Sequence, residues 1–214
     1  MPSSKKIKIC GLTGESDVDL ALSLGADYCG FIVYPNSPRG IELERAAELA
    51  QRVPDGQRVM VDVSPKASKI LQGRELGFNV FQIHIGLDIS TELVREYAEA
   101  AGSGNLWLAP RIGPGDAFPE QFLEFTDTFL IDTYSKDQVG GTGKTGDWGR
   151  FSQYQKTYPD VCFILAGGLS ADNILEAVEA TGTDHLDLNS GLELSPGIKS
   201  PEKVRRLFAQ LAKL

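Results

Sequence analysis

The residues able to do chemistry fall at a few recurring places, each just after a short apolar run. Cys10 closes Ile7-Lys8-Ile9 and stands before Gly11. Asp132 follows Phe129-Leu130-Ile131, so a carboxylate leaves an apolar strand directly. Arg39 ends Pro35-Asn36-Ser37-Pro38, His84 ends a strand-like run and Arg111 follows another. Gly167-Gly168 comes after Cys162–Ala166, and Asp187, Asn189, Ser190 and Gly191 close the last such run.

Each residue type admits two readings at this stage. Cys10 is either a small buried apolar side chain or a thiolate acting as base or nucleophile in a positive environment. Asp132 is either a loop or capping carboxylate or a general acid with its pKa raised by enclosure. Arg39 is either solvated or a bidentate clamp for a carboxylate or phosphate. His84 reads as a satisfied strand-end histidine or a ligand contact, and His185 as structural. The two glycine turns carry the clearest chemistry. Glycine lets the backbone approach an oxyanion, and the free N–H groups at a helix start attract negative charge. Gly167-Gly168 paired with Asn189-Ser190-Gly191 at the next strand end therefore points to a phosphate site, beyond a tight turn alone.

These residues need a scaffold that brings strand ends together. Strands are expected at Lys6–Cys10, Tyr28–Tyr34, Arg58–Val63, Val80–His84, Leu106–Ala109, Thr128–Ile131, Cys162–Ala166 and His185–Leu188. Helices are expected between them, near 16–24, 43–52, 66–76, 93–101, 119–125, 148–158, 171–180 and 201–213. Gly25, Gly77 and Gly102 read as helix stops, Ser170 as an N-cap and Pro201 as a first-turn residue. Eight strand–helix units imply a parallel sheet covered by helices, and in one domain they imply a closed (β/α)8 TIM barrel spanning residues 1–214. Such a barrel carries its active site at the C-terminal strand ends, where Cys10, Asp132 and both glycine turns lie, and the loops after strands seven and eight are its usual phosphate site. The long stretch from Asp132 to Asp147 reads as a lid. It contains Gly143-Lys144-Thr145, but Gln138 stands where a nucleotide-binding P-loop needs its first glycine.

Composition narrows the partners. The 214 residues carry a formal net charge of −8, which argues against nucleic-acid binding but leaves room for a local cationic pocket. No apolar run is long enough for a membrane span, and no signal core follows Met1. Three cysteines without paired spacing fit a reducing cytoplasm, and two histidines argue against a metal centre.

Taken together, these residues resemble the phosphoribosylanthranilate isomerase family. The motifs are Lys8-Ile9-Cys10-Gly11-Leu12, Gly30 through Arg39, Gln82-Ile83-His84, and Leu130-Ile131-Asp132 with Gly140-Gly141-Thr142-Gly143 and Asp147-Trp148. Leu165 through Leu169, Asp187 through Glu193 and Pro196-Gly197-Ile198-Lys199 complete them. The sequence departs from the family pattern where Ile85 intervenes before Gly86, where Gly146 replaces an aromatic and where Gly40 replaces a bulkier residue.

The resemblance implies an Amadori rearrangement in tryptophan biosynthesis, with no cofactor. Asp132 is then the general acid and Cys10 the general base. Arg39 holds the anthranilate carboxylate; Gly167, Gly168, Ser190 and their neighbours hold the phosphate. His84, Gly141, Asp187 and Asn189 join them as substrate contacts. The expected partner is the small phosphosugar–anthranilate substrate, with the protein a monomer or homodimer. Two rivals differ in class. A metal-dependent epimerase needs histidines and carboxylates that this chain lacks, and a non-catalytic phosphosugar binder has no need of Cys10 and Asp132 together.

Overall fold

The computed structural model describes residues 5–132 and 147–214. Eight parallel strands close into one barrel in chain order: β1 (Lys6–Ile9), β2 (Tyr28–Ile32), β3 (Arg58–Val63), β4 (Val80–Ile85), β5 (Leu106–Pro110), β6 (Thr128–Ile131), β7 (Cys162–Leu165) and β8 (His185–Leu188). The closing seam pairs β1 with β8, and Lys8 lies opposite Asp187 in its register. Seven α-helices surround the barrel among the described residues: α1 (Glu15–Ser23), α2 (Leu43–Ala50), α3 (Ala67–Glu75), α4 (Thr91–Ala101), α5 (Trp148–Thr157), α6 (Ile174–Thr181) and α7 (Pro201–Leu211).

The alternation of side chains along each strand divides the core in two. One set packs between strands and helices, including Ile9, Phe31, Met60, Phe81 and Phe129. The other fills the barrel interior and includes Val59, Val61, Trp107, Leu130 and Ile164, with Cys10 at its upper end. Lys8 on β1 and Cys10 just past its end are two residues apart, so both point inward.

Three local expectations change. The helix expected over 119–125 is only a 3-10 turn at Glu120–Phe122. Aromatic packing covers that side of the barrel instead: Phe118 lies 5.0 Å from Phe129 and 5.6 Å from Phe163, ring centre to ring centre. α6 begins at Ile174, not near 171, because Asn173 and Ile174 turn their N–H groups onto the Ser170 carbonyl. Ser170 Oγ accepts from Asp172 N in that preceding turn and does not cap α6. A hairpin of β9 (Glu193–Ser195) and β10 (Ile198–Lys199) follows a second 3-10 turn at Ser190–Leu192. None of these three pieces carries enough residues for a periodic pattern.

Helix ends follow the sequence where caps exist. Ser90 accepts from Leu93 N and Ser200 from Lys203 N, starting α4 and α7. Gly25, Gly77 and Gly102 all adopt positive φ beyond their helices, as expected of helix stops. Among the described residues, no helix is long and apolar enough to cross a membrane.

Candidate active site

A cavity of about 260 Å³ opens at the C-terminal strand ends. Cys10, Asp132 and Arg39 all line it, and so do His84, Gly167, Gly168, Asp187, Asn189 and Ser190. The topology thus collects side chains that lie as much as 180 residues apart. Gly141, and with it the expected lid, lies outside the described residues.

The two glycine turns meet at backbone level. Gly167 and Gly168 take φ of 91° and 65°, a region that favours glycine, so the chain reverses sharply out of β7. A Cβ on Gly191 would come within 2.1 Å of the Leu169 carbonyl oxygen and 3.0 Å of Ser170 Cβ. Gly191 is therefore required for close packing of the loop after β8 against the loop after β7. Gly11, just after β1, serves the adjoining edge of the mouth: a Cβ there would meet Asn189 Oδ1 at 2.6 Å and Arg39 Cδ at 2.9 Å.

Arg39 is neither solvated nor loose. Its Nε donates to both oxygens of Glu193 at 2.8 and 3.0 Å, and its Nη2 donates to Oε2 at 2.7 Å. Lys199 Nζ donates to Glu193 Oε1 at 3.1 Å and to Asn189 Oδ1 at 2.9 Å. Glu193 also accepts from Gly197 N at 3.1 Å. Burial raises the Glu193 carboxyl, but Arg39, Lys199 and the Gly197 amide outweigh it and hold its pKa below the usual range. Burial lowers Lys199, an effect that Glu193 only partly offsets. Arg39 is raised by its hydrogen bonds to Glu193. A buried carboxylate on the hairpin thus holds both cations in place.

Below this network lies a second pair. Lys8, completely buried, donates from Nζ to Asp187 Oδ1 at 2.7 Å. Burial lowers its pKa, but Asp187 first and Cys10 next more than offset this, and the net direction is upward. The Cys10 thiol is pushed up by burial, pulled down by Lys8, pushed up again by Asp187 and lowered by Lys199; the net direction is upward.

His84 faces Gln82, their Nε2 atoms 3.0 Å apart. Burial, then Lys8 and Arg111, lower its pKa to about 4, so it is neutral at physiological pH. His185 lies at the other end of the barrel. It stacks on Tyr28 with ring centres 5.5 Å apart, and its Nδ1 is 3.5 Å from Cys162 Sγ. Asp62, next to last in β3, forms an ion pair with Lys69 of α3 at 2.7 Å.

The sequence reading did not single out Glu193, Lys199 or Lys8 for a role. A signal for Lys8 was available, since a lysine two positions before a strand-end cysteine shares its face. Nothing in the sequence pairs Arg39 with a residue 154 positions later.

The family model described as N-(5'phosphoribosyl)anthranilate (PRA) isomerase matches residues 7–210. The N-(5'-phosphoribosyl)anthranilate isomerase of Zymomonas mobilis is 34% identical over 215 residues, covering 99% of both chains. The crystal structure of phosphoribosyl anthranilate isomerase from Thermus thermophilus superposes with a TM-score of 0.80 at 31% identity, covering 97% of this chain and 98% of that one. A phosphoribosyl anthranilate isomerase solved in complex with reduced 1-(o-carboxyphenylamino)-1-deoxyribulose 5-phosphate superposes at 0.75 with 26% identity, over 98% of this chain and all of the other.

Proposed function

This chain belongs to the phosphoribosylanthranilate isomerase family, and from that premise we propose that Cys10 and Asp132 are the base and acid of its reaction. The reaction is the Amadori rearrangement of N-(5-phosphoribosyl)anthranilate to 1-(2-carboxyphenylamino)-1-deoxyribulose 5-phosphate, a step of tryptophan biosynthesis. The observation that carries the assignment is that a thiol and a carboxyl, from β1 and from the end of β6, line one cavity with a cationic clamp and two glycine turns.

Asp132 gives its proton to the furanose ring oxygen as the bond from that oxygen to the anomeric carbon breaks. The anthranilate nitrogen supplies the electrons, and an open-chain iminium forms. Cys10, as thiolate, takes the proton from the sugar C2. The electrons of that C–H bond form a C1=C2 double bond and neutralise the nitrogen. The resulting enolamine loses its C2 hydroxyl proton and gains one at C1, giving the ketone. No atom leaves and no electron is exchanged with a second reactant, so proton transfer alone completes the isomerisation.

The remaining roles follow from charge and shape. Arg39, oriented by Glu193, binds the anthranilate carboxylate. The turns at Gly167-Gly168 and Asn189-Ser190 bind the phosphate, anchoring the unreactive end so that the sugar sits between acid and base. His84 and Asp187 border the same substrate, His84 as a neutral hydrogen-bonding group; the contact expected of Gly141 rests on the family resemblance alone. One domain, residues 1–214, holds all of these parts. The enzyme works in the cytoplasm on a small-molecule substrate, alone or as a pair of identical copies.

The test is turnover of N-(5-phosphoribosyl)anthranilate, followed by loss of its fluorescence. The wild-type protein is expected to consume it, and Cys10→Ala and Asp132→Ala are each expected to lower kcat by about 10²–10⁴-fold. No wild-type turnover sinks the activity; a variant as fast as wild type sinks the role given to that residue.

A further inference from the structure

We propose that Lys8 is the positioning residue of the base: its ammonium, pinned by Asp187, holds the negative charge of the Cys10 thiolate against the barrel wall. The inference rests on the reading of Cys10 as base.

A fully buried lysine needs a reason, because well-packed apolar residues usually fill such a space at lower cost than an ion pair. Asp187 neutralises Lys8 but takes only one of its three N–H donors at 2.7 Å. The ammonium also acts on Cys10, two residues further along the chain: Cys10 raises the pKa of Lys8, and Lys8 lowers that of Cys10. The neighbouring strand makes room for both groups. A Cβ on Gly30 of β2 would lie 3.0 Å from Cys10 Sγ, 3.0 Å from Lys8 Cε and 3.0 Å from Lys8 Nζ. Gly30 is not among the residues with positive φ, so no turn requires it. The space of its missing side chain is occupied by the thiol and the ammonium.

The groups facing the sulfur come from several elements. Lys8 on β1, Lys199 on β10 and Arg39 after β2 favour its ionised form, while Asp187 on β8 opposes it. Asp132 at the end of β6 lines the same cavity, and His84 on β4 lines it uncharged. Among these, Lys8 exerts the largest downward pull on the thiol, second only to burial in size of effect. Removing it therefore costs thiolate, and with it rate, while Arg39 and the two phosphate turns stay in place.

The experiment follows the rate of carboxamidomethylation of Cys10 by iodoacetamide against pH, in the ligand-free full chain, by mass of the peptide that bears it. Peptide resolution separates Cys10 from the exposed Cys162 and from the buried Cys29. In Lys8→Met the midpoint is expected to move upward by about one to three pH units. At neutral pH, kcat is expected to fall by about 10–10³-fold with KM changed by less than about threefold, since each unit costs a factor of ten in thiolate. The double variant Lys8→Met/Asp187→Asn removes the pair without stranding a charge, and its midpoint is also expected above wild type. Structural loosening that admits water would move the midpoint down, the opposite way. A wild-type or lowered midpoint in either variant overturns the proposal. Cys10→Ala at full activity would instead sink the base itself, a result that the alkylation midpoint does not affect.

Discussion

At the scale of single residues, the site is two buried charge systems stacked beneath one mouth. Arg39 depends on Glu193 for its position, so in its proposed role the grip on an aromatic carboxylate is set partly by a residue that need not touch it. Glu193→Gln keeps the shape but loses the charge that holds Arg39 and Lys199. KM is expected to rise by about tenfold or more, with kcat changed less, because one charge-assisted bidentate contact loses its alignment. Equilibrium urea unfolding should show a loss of about 3–5 kcal/mol, the usual cost of breaking a buried pair. An unchanged KM would mean that Arg39 holds its place without Glu193. The sequence exposed Cys10, Asp132 and Arg39 because each ends an apolar run, where a polar residue is conspicuous. It concealed Glu193 and Asp187 as partners, because ion pairs spanning 154 and 179 residues leave no local trace.

At the scale of elements, positioning depends on how loops rest on one another. The loop after β8 sits on the loop after β7 at Gly191, whose missing side chain is filled by the Leu169 carbonyl. Backbone cannot yield as a side-chain tip can, so Gly191→Ala must spread the two turns. Steady-state kinetics of this variant should show KM raised by about 10–100-fold, as one to three kcal/mol of phosphate binding is lost. Inorganic phosphate should inhibit it correspondingly less. Wild-type values for both would mean that the turns do not act together. All eight strands were legible in the sequence, because short β-branched runs alternate with longer amphipathic stretches. The β9–β10 hairpin was not, since pieces of three and two residues have no period to read. Over 119–125 the chain forms only a single 3-10 turn that buries Phe122, with Phe118 held by aromatic packing just before it.

At the scale of the whole molecule, stability should fall on mild acidification. His84 and His185 have pKa values lowered to about 4 from 6.5, by burial first and by Lys8 next. Between those values the unfolded chain binds protons that the folded chain refuses. Folding free energy is therefore full above about pH 6.5 and is lost progressively as pH falls toward 4. Buried His185 accounts for about 3 kcal/mol of this at the lower end, and His84, which borders the open cavity, for less. Urea midpoints measured across that window should decline, and His185→Gln should flatten the decline. A midpoint constant from pH 7 to 4.5 would contradict both assignments.

The seam of the barrel has a further consequence, in time rather than in space. β1 holds both Lys8 and Cys10, but the partner that keeps Lys8 charged and in place belongs to β8, the last strand to join. Contacts of such long sequence separation form late, because the loop they close must first be ordered. A growing or half-folded chain thus carries Lys8 and Cys10 side by side with nothing to hold the ammonium in place. The proposed base and its cation are fixed together only when the final strand docks, so a chain that stalls before closure has both residues without their geometry.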